Sequence, residues 1–483
     1  MKNMNTPLYN ALMAYSKQKK PFHMPGHKLG TFGQMKALDL TALDVTEANG
    51  LDNLYEAEGI IQEAMQEMSR FYGSESTLFL TNGSTAGILA SLMSVCQPGD
   101  QMLIARNCHH SVWNALILIG AIPIYIQPEY DVSFGVMGMV TPKTIKKALT
   151  LYPQVKGALI VSPTYEGIVS DVKGIAKVLH EQDKVLIVDE AHGAHFVVDE
   201  AFPQSSIRQG ADLVIQSMHK TLPTLTQSAL LHRGTKAIQE EDLIKHLRLV
   251  QTSSPSYVMM GLMDYIRGFI ETHRNEIKKS YIKPLEAMRQ QLSKMKKLKL
   301  LDLPKAVYDQ GKIVILTQSS GIDGYTLGQY LEEHYDIVAE AMLPHLVILM
   351  TTLADNEKSL SELENALKEI DEALCRKPVD EVDVTYNHLM GAILSEVEEI
   401  QKVEVSLREV YYKKAQWCLV DECIGRICAQ PIMLYPPGIP IIGLGECINQ
   451  IHIDLMKQYG NHLKGLKKVE NQMHCKVLEI SVQ

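Results

Sequence analysis

Residues 212–223 read Asp-Leu-Val-Ile-Gln-Ser-Met-His-Lys-Thr-Leu-Pro, and they indicate the class of fold. Leu213–Gln216 has the apolar character of a buried strand, and Ser217-Met-His-Lys220 follows it directly. Ligands of open α/β sheets bind at the carboxyl ends of the strands. Lys220 is therefore predicted to lie at that edge, where a lysine among apolar strands can lose its proton and attack an aldehyde. The alternative is an ordinary surface lysine after a strand.

A second apolar strand, Val185–Asp189, ends in a carboxylate upstream of this stretch. A lysine and an acid at neighbouring strand ends suit pyridoxal phosphate, because the lysine can bond to its aldehyde while the acid pairs with its protonated ring nitrogen. The segment Thr81-Asn-Gly-Ser-Thr-Ala-Gly87 supplies a phosphate cradle. Gly83 lets the backbone approach closely, and Ser84 and Thr85 offer hydroxyls and first-turn N–H groups. Taken alone, such a turn is more often an ordinary helix cap.

These features resemble the ornithine/lysine/arginine decarboxylase family of fold-type-I pyridoxal-phosphate enzymes. The matching segments are Pro21-Phe-His-Met-Pro-Gly-His-Lys28, Gly50-Leu-Asp-Asn-Leu54, Arg106-Asn-Cys-His109, Ser162-Pro-Thr-Tyr-Glu-Gly167, Asp189-Glu-Ala-His192, Ser217-Met-His-Lys220, Ser253-Ser-Pro-Ser-Tyr257 and Tyr435-Pro-Pro-Gly-Ile-Pro440 with Gly445-Glu446. The first and last of these are narrower signals than Ser-x-His-Lys, which other fold-type-I enzymes share. The resemblance is to the short form of the family, without an N-terminal wing domain, and is greatest to arginine decarboxylase.

The resemblance implies roles for particular residues. Catalytic roles fall on Lys220, Asp189, His192 and His219, and further cofactor contacts fall on Gly83, Ser84, Thr85, His109, Thr164, Ala191 and Ser217. His109 would stack on the cofactor ring, although His110 follows where the family often has a lysine, so the role could fall one residue later. Ser253 and Ser254 could cross a dimer interface to the neighbour's phosphate. His195 is expected to be structural.

The implied reaction is loss of the α-carboxylate of a basic L-amino acid as CO2. Family members act on arginine, lysine or ornithine, giving agmatine, cadaverine or putrescine, and arginine is expected here. A distal cation needs carboxylate partners, and a guanidinium favours a bidentate one. The candidates are Glu47, Asp52, Glu166 and Glu446, each of which could also be an ordinary solvated loop acid.

A chain of 483 residues exceeds one ordinary core and is expected to divide into domains. We predict an N-terminal segment with the large cofactor-binding domain over 1–295, a small α/β domain over 296–377 and a C-terminal domain over 378–483. The large domain is predicted to be α/β with a mainly parallel seven-stranded sheet. Its strands are Thr77–Leu80, Gln101–Ala105, Ile122–Ile126, Gly157–Val161, Val185–Asp189, Leu213–Gln216 and Ser228–Leu231. One long helix is predicted over Met259–Met295.

Composition limits the possible partners. Hydrophobic residues at 46% and charged residues at 21% are typical of soluble globular proteins, and a net charge of −9 gives no indication of nucleic-acid binding. Residues 1–5 have no apolar signal region, and Leu116–Ile126 is too short to span a bilayer. We therefore expect a cytoplasmic protein with reduced cysteines and no membrane partner. Because fold-type-I enzymes build their sites between subunits, a homodimer or a larger homo-oligomer is expected.

Other functions are considered on specific residues. Zinc could bind the pairs His23/His27, His109/His110 or His192/His195 in a metal-dependent hydrolase, but Pro25-Gly26 interrupts the first pair, and no metal site is predicted. Cys418, Cys423 and Cys428 are interpreted as core thiols. Retention of Asp189 and Lys220 argues against an inactive regulatory homologue. The segment Tyr435–Pro440 disfavours transamination or retro-aldol cleavage.

Overall fold

The seven strands predicted from the sequence form one sheet in the structure, a computed structural model. Their order across the sheet is Ile122–Ile126, Gln101–Ala105, Gly157–Val161, Val185–Asp189, Leu213–Gln216, Ala229–Arg233 and Ser76–Leu80. Ala229–Arg233 runs antiparallel to both of its neighbours, and the other adjacent pairs are parallel. The predicted mainly parallel α/β fold is confirmed. Ser76–Leu80 begins one residue earlier than predicted, and Ala229–Arg233 is shifted toward the C-terminus.

The structure describes residues 7–33, 38–376, 391, 394–395, 399–403, 405–434, 439–460, 463–470 and 472–479. Positions 435–438 of the Tyr435–Pro440 motif and the predicted boundary at 378 lie outside the described residues. The predicted domain limits at 295 and 377 stay predictions.

An eighth strand was not predicted. Ile400–Lys402 pairs antiparallel with Ile122–Ile126 and covers that edge of the sheet. The sheet is buried on both faces, which explains why its strands are nearly continuous runs of valine, isoleucine and leucine. Successive side chains point to opposite faces, so Ile160 and Val188 pack in one apolar cluster while Leu159 and Ile187 pack in another.

Helices cover both faces of the large sheet and also occur in the rest of the described chain. The α-helices are Pro7–Gln18, Leu40–Leu43, Ile60–Tyr72, Gly83–Val95, His110–Ile119, Pro142–Leu151, Val172–His180, Met218–Thr221, Glu240–Val250, Tyr257–Thr272, Arg274–Ile277, Lys283–Leu292, Gly324–Tyr335, Glu357–Cys375, Leu407–Tyr412 and Gln450–Tyr459. Short 3₁₀ turns lie at Leu54–Glu56, Ala194–Val197, Ser206–Gln209 and Val420–Glu422. Within the described residues, no helix combines the length and the apolar character that crossing a membrane requires.

The single long helix predicted over Met259–Met295 is wrong in detail. Tyr257–Thr272 ends at His273, and a π-helical segment, Lys278–Ile282, precedes Lys283–Leu292. Pro284 explains the second irregularity, because proline lacks a backbone N–H and its ring clashes with the carbonyl one turn earlier.

The smaller sheets follow the large one. Lys299–Leu300, Lys312–Leu316, Leu346–Met350 and Ala341–Leu343 form an antiparallel four-stranded sheet, in that order. Lys20–Phe22 pairs parallel with Ile337–Ala339. The N-terminal segment therefore packs beside the part of the chain that also forms the four-stranded sheet. Further small sheets comprise Ala415–Leu419 with Gln472–Leu478 and Leu466–Val469, Ile439–Ile442 with Ile432–Leu434 and Leu463–Lys464, and Tyr130–Asp131 with Val136–Met137.

Candidate active site

A cavity of about 640 Å³ lies at the carboxyl ends of the parallel strands. Asp189 ends one of these strands, and Ser217 immediately follows the next. Of the residues singled out from the sequence, the cavity wall contains Gly83, Ser84, Thr85, His109, Glu166, Asp189, Ala191, His192, Ser217, His219 and Lys220. One cavity is therefore lined by side chains that are far apart in the sequence.

Lys220 projects from the short helix Met218–Thr221, which follows the strand Leu213–Gln216. Its Nζ lies 3.1 Å from Nε2 of His192. Burial lowers the pKa of Lys220, while the negative charges of Asp189 and Glu340 raise it. The net shift is downward, so the neutral amine is more accessible than for a solvated lysine, as a nucleophile requires.

Asp189 is buried and accepts a hydrogen bond from the backbone N–H of Ala191, at 3.1 Å from Oδ1. Burial raises the pKa of Asp189, while the charge of Lys220 and the Ala191 hydrogen bond lower it. A cationic group entering the cavity would favour the charged carboxylate further. Such a position fits an acid that pairs with a protonated ring nitrogen.

The first turn of the helix Gly83–Val95 also lies in the cavity wall, beside Ser217. Gly83 has φ +72°, and a Cβ at that position would meet no heavy atom within 4 Å, so the backbone there is open to a ligand. The hydroxyl of Ser217 donates to Oγ of Ser84 over 2.9 Å, which places two hydroxyls together beside Thr85. Hydroxyls and first-turn N–H groups at the start of a 13-residue helix fit a phosphate group.

His109 and His219 also line the cavity, each held by its own hydrogen bond. His109 caps the helix His110–Ile119 by accepting from the N–H of Ser111, and desolvation lowers its pKa to about 4. Nδ1 of His219 lies 3.0 Å from the carbonyl oxygen of Ser228. Because a carbonyl only accepts, Nδ1 of His219 carries the proton and Nε2 is left as the acceptor. Burial lowers the pKa of His219, which keeps that imidazole neutral.

Sequence reasoning missed two residues beside this cavity. Nζ of the buried Lys312 lies 3.0 Å from Nδ1 of His192. Glu340 accepts from the hydroxyl of Tyr165 and from the N–H of Met24, each over 2.9 Å. The available signal for Lys312 was a lysine opening an apolar strand, Lys312–Leu316, which alone does not distinguish it from a surface residue.

Three of the four candidate carboxylates for the substrate tail lie outside the cavity wall. Asp52 instead accepts from the N–H groups of Gly59 and Ile61 over 2.7 and 2.9 Å and holds the start of the helix Ile60–Tyr72. Glu47 is exposed and accepts from Asn53. Glu446 is buried against the guanidinium of Arg106, with 2.7 Å between Nη2 and Oε1.

Other predicted contacts also lie outside the cavity wall. The hydroxyl of Thr164 accepts from the N–H of Ile168 within a turn. Ser253 and Ser254 are exposed in this single chain, so their proposed reach across a dimer stays a prediction. His195 is buried with Nε2 2.9 Å from Oδ1 of Asp309.

The N-terminal Pro-Gly-His-Lys motif contacts the backbone of residues 219–222, which carries Lys220. The N–H of Gly26 donates to the carbonyl of His219 over 2.8 Å, and the hydroxyl of Thr352 donates to the carbonyl of Gly26. A Cβ on Gly26 would lie 2.7 Å from the carbonyl oxygen of Leu222. Lys28 is buried and donates to the carbonyls of Pro21 and Met350. The motif therefore fixes the backbone that carries Lys220.

Of the histidines that suggested a metal, His23 has other partners. His23 contacts the hydroxyl of Tyr15 and the carbonyl of Met24. Over the part of the chain that the structure describes, no group of three or more histidine, cysteine, aspartate or glutamate side chains is arranged to hold a metal ion.

The chain matches two family descriptions. Residues 6–359 match "Orn/Lys/Arg decarboxylase, major domain", and residues 388–473 match "Orn/Lys/Arg decarboxylase, C-terminal domain". A protein of Bacillus subtilis named YaaO is 35% identical and covers 97% of this chain and 98% of its own length. The arginine decarboxylase of B. subtilis is 32% identical and covers 94% of this chain and 93% of its own length.

A solved structure of the lysine decarboxylase LdcF of Francisella novicida superposes with a TM-score of 0.77 at 19% identity. That match covers 99% of this chain and 79% of the other. The fold is the fold type I of pyridoxal-phosphate-dependent decarboxylases and aminotransferases. The chain belongs to the ornithine/lysine/arginine decarboxylase family.

Proposed function

We propose that this protein uses pyridoxal phosphate to decarboxylate a basic L-amino acid, and that the substrate is arginine, which gives agmatine and CO2. The observation that carries the proposal is that Lys220 and Asp189 line one cavity with the hydroxyls of Ser84 and Ser217. A nucleophilic amine, an acid for the ring nitrogen and a phosphate cradle are the three things that this cofactor needs from a protein.

Arginine is preferred over lysine or ornithine on two grounds. The relative named arginine decarboxylase is nearly equal in length to this chain, whereas the lysine decarboxylase structure extends well beyond it. In addition, Glu166 is the one of the four candidate tail carboxylates that lines the cavity. Burial raises the pKa of Glu166, because the charged carboxylate is poorly solvated there. A guanidinium that reached Glu166 would stabilise that charged form by pairing with it.

The residues of the cavity have different roles in the proposed reaction. When bound, the cofactor supplies an electron sink for the pair left as CO2 departs. With the cofactor bound, Lys220 would bond to its aldehyde carbon, and the negative charge of Asp189 would keep the ring nitrogen protonated. Ser84, Thr85 and Ser217 would hold the phosphate.

Other roles are orientation of the cofactor ring and proton transfer. His109, in the cavity wall, would contact the cofactor ring and help to orient it. Lys220 or His219 would return a proton to Cα of the substrate. Nε2 of His219 would first have to take up a proton, because in the neutral imidazole the proton lies on Nδ1, which faces the carbonyl of Ser228. The amine of Lys220 would then replace the amine product at the aldehyde carbon of the cofactor.

The test is product analysis. The purified holoprotein is incubated separately with arginine, lysine and ornithine carrying a labelled α-carboxyl group, and both CO2 and the amine are measured. Agmatine as the main product with the highest kcat/KM supports the proposal. A preference for cadaverine or putrescine overturns the choice of arginine but keeps the decarboxylase, and no CO2 from any of the three overturns the proposal as a whole.

A variant tests the carboxylate of the tail pocket. Glu166→Gln keeps the shape of the side chain and removes its charge, so we expect KM for arginine to rise with a smaller effect on kcat. Glu47→Gln, outside the cavity, is the matched control. Equal kinetics for the two variants would overturn the role of Glu166.

A further inference from the structure

A tight turn over residues 225–228 precedes the strand Ala229–Arg233. The N–H of Ser228 donates to the carbonyl of Leu225 over 3.1 Å, which closes a four-residue β-turn. Of its two central residues, Thr226 and Gln227, only Gln227 has a positive φ, at +78°. This is the pattern of a type II turn, whose third position favours glycine or asparagine. The backbone of Gln227 is therefore strained.

Two hydrogen bonds fix this turn beside the phosphate cradle. The carbonyl of Gln227 accepts from the N–H of Gly83 over 2.9 Å, and the carbonyl of Ser228 accepts from the N–H of His219 over 3.3 Å. The first bond ties the turn to the start of the helix that Gly83 opens, and the second ties it to the helix that carries Lys220. Strained residues persist where surrounding contacts hold them, and they cluster at ligand sites.

The cradle has few free donors for an anion. A phosphate monoester carries about two negative charges at pH 7. In the described part of the cavity wall, Lys220 is the only lysine and there is no arginine, and Lys220 would bond to the aldehyde. The hydroxyl of Ser217 already donates to Ser84, and the N–H of Gly83 already donates to Gln227. Further neutral donors are therefore needed, and a glutamine amide carries two N–H groups.

We propose that Gln227 is a further phosphate ligand of this site, with its side-chain amide donating to a phosphate oxygen of the cofactor. The proposal rests on the proposed use of pyridoxal phosphate. Gln227 is exposed and lines the cavity, so its amide is accessible from there. Glycine would suit the backbone of the turn better but would supply no donor. The turn therefore keeps a strained residue in exchange for a hydrogen bond to an anion, which is stronger than one between neutral groups.

The test compares pyridoxal phosphate with pyridoxal, which lacks the phosphate group. Both aldehydes can bond to Lys220 in the cofactor-free protein, and absorbance titration gives a Kd for each. The measured quantity is the ratio of the Kd for pyridoxal to the Kd for pyridoxal phosphate. Gln227→Gly should lower this ratio by roughly 10-fold or more, because one hydrogen bond to a charged group is lost. The Kd for pyridoxal itself should stay nearly unchanged.

A second variant keeps the length of the side chain. Gln227→Glu replaces the amide by a carboxylate, which has no donor at neutral pH and repels phosphate, so it should lower the ratio further. Asp183→Gly is the matched control. Asp183 also has a positive φ, +54°, but it is exposed outside the cavity wall. The control therefore makes the same kind of backbone change and should leave the ratio at the wild-type value.

Urea unfolding of the cofactor-free proteins separates lost phosphate binding from a folding defect. Gln227→Gly should not lower the midpoint of unfolding, because glycine adopts a positive φ without strain. A wild-type ratio in both Gln227 variants would overturn the proposal. Failure of the wild-type protein to bind pyridoxal phosphate at all would instead overturn the proposed cofactor, so the two failures are distinguishable.

Discussion

The guanidinium of Arg106 and the carboxylate of Glu446 form a two-pronged ion pair, with 2.7 Å from Nη2 to Oε1 and 3.2 Å from Nη1 to Oε2. Both side chains are at most 1% exposed. Arg106 directly follows the strand Gln101–Ala105, while Glu446 comes from the C-terminal part of the chain. The pair therefore fastens the C-terminal part to the sheet edge beside the cavity.

Glu446→Gln should reduce the free energy of unfolding by about 3–5 kcal/mol, because it leaves a buried guanidinium without its counter-charge. Urea unfolding followed by the fluorescence of Trp113 and Trp417 measures this. Glu409→Gln breaks an exposed pair with Lys413 and should cost about 0–1 kcal/mol. The prediction fails if the two variants lose similar amounts of stability.

Lys220→Ala should abolish turnover, with a loss of roughly 10²–10⁴-fold or more in the rate of CO2 release. On the proposed function, the variant would lose both the covalent bond to the cofactor and a proton donor. Release of labelled CO2 measures the rate, and Lys305→Ala serves as the exposed-lysine control. CO2 formation by the Lys220 variant at a substantial fraction of the wild-type rate would contradict the assignment.

Asp189→Ala should lower kcat by roughly 10²–10³-fold, which is more than it weakens cofactor binding. On the proposed function, its charge would stabilise the protonated ring nitrogen during the reaction, whereas Ser84 and Ser217 would hold the phosphate elsewhere. Absorbance titration gives the cofactor Kd, and steady-state kinetics at saturating cofactor give kcat. A larger change in Kd than in kcat would show that Asp189 serves mainly to bind.

Acid should destabilise the protein partly through His232. This buried imidazole donates to Oε1 of Gln216, at 3.1 Å, and accepts from the hydroxyl of Thr77 at 2.8 Å. Burial lowers its pKa to about 3, against 6.5 for the ordinary group. The unfolded chain therefore binds the extra proton between these values, and stability falls as pH falls from 6.5 toward 3.

His232→Gln removes that proton uptake. Between pH 7 and pH 5 the wild type should lose about 2 kcal/mol more stability than the variant. Urea unfolding at both pH values measures the slopes, which separates the titration from any constant cost of the substitution. Parallel slopes would contradict the prediction.

Gly26→Ala should destabilise the protein and weaken activity together. The added methyl group would lie 2.7 Å from the carbonyl oxygen of Leu222, which cannot move without displacing the turn that carries Lys220. Gly261→Ala is the matched control, because a Cβ there meets nothing within 4 Å and the residue lies inside the helix Tyr257–Thr272. The control should gain about 0.5–1 kcal/mol of stability. A neutral Gly26→Ala would show that the loop is not rigid.

The sheet was predictable from sequence because strands buried on both faces are almost continuous apolar runs. Val185–Asp189 and Leu213–Gln216 were located to the residue for this reason. The short strand Ile400–Lys402 was missed, because three residues with one lysine and one glutamine carry no such pattern. Its pairing is a tertiary event that local propensity does not determine.

The candidate site was predictable for reactive residues that lie at or just after the end of an apolar strand. Lys220 and Asp189 end or follow apolar strands, so their shared edge follows from topology. Glu446 and Lys312 show the limit of this reasoning. Arg106, the partner of Glu446, is 340 residues away in the sequence, and Lys312 and His192 are 120 residues apart. No local sequence pattern therefore predicts either contact.

On the ribosome, the edge strand Ile122–Ile126 emerges long before residues 400–402 are synthesised. Until they arrive, its outer row of backbone N–H and C=O groups is open to any extended segment, including one from a second nascent chain. The first half of the polypeptide therefore cannot complete its sheet alone, and a truncated translation product should be prone to aggregate through this edge.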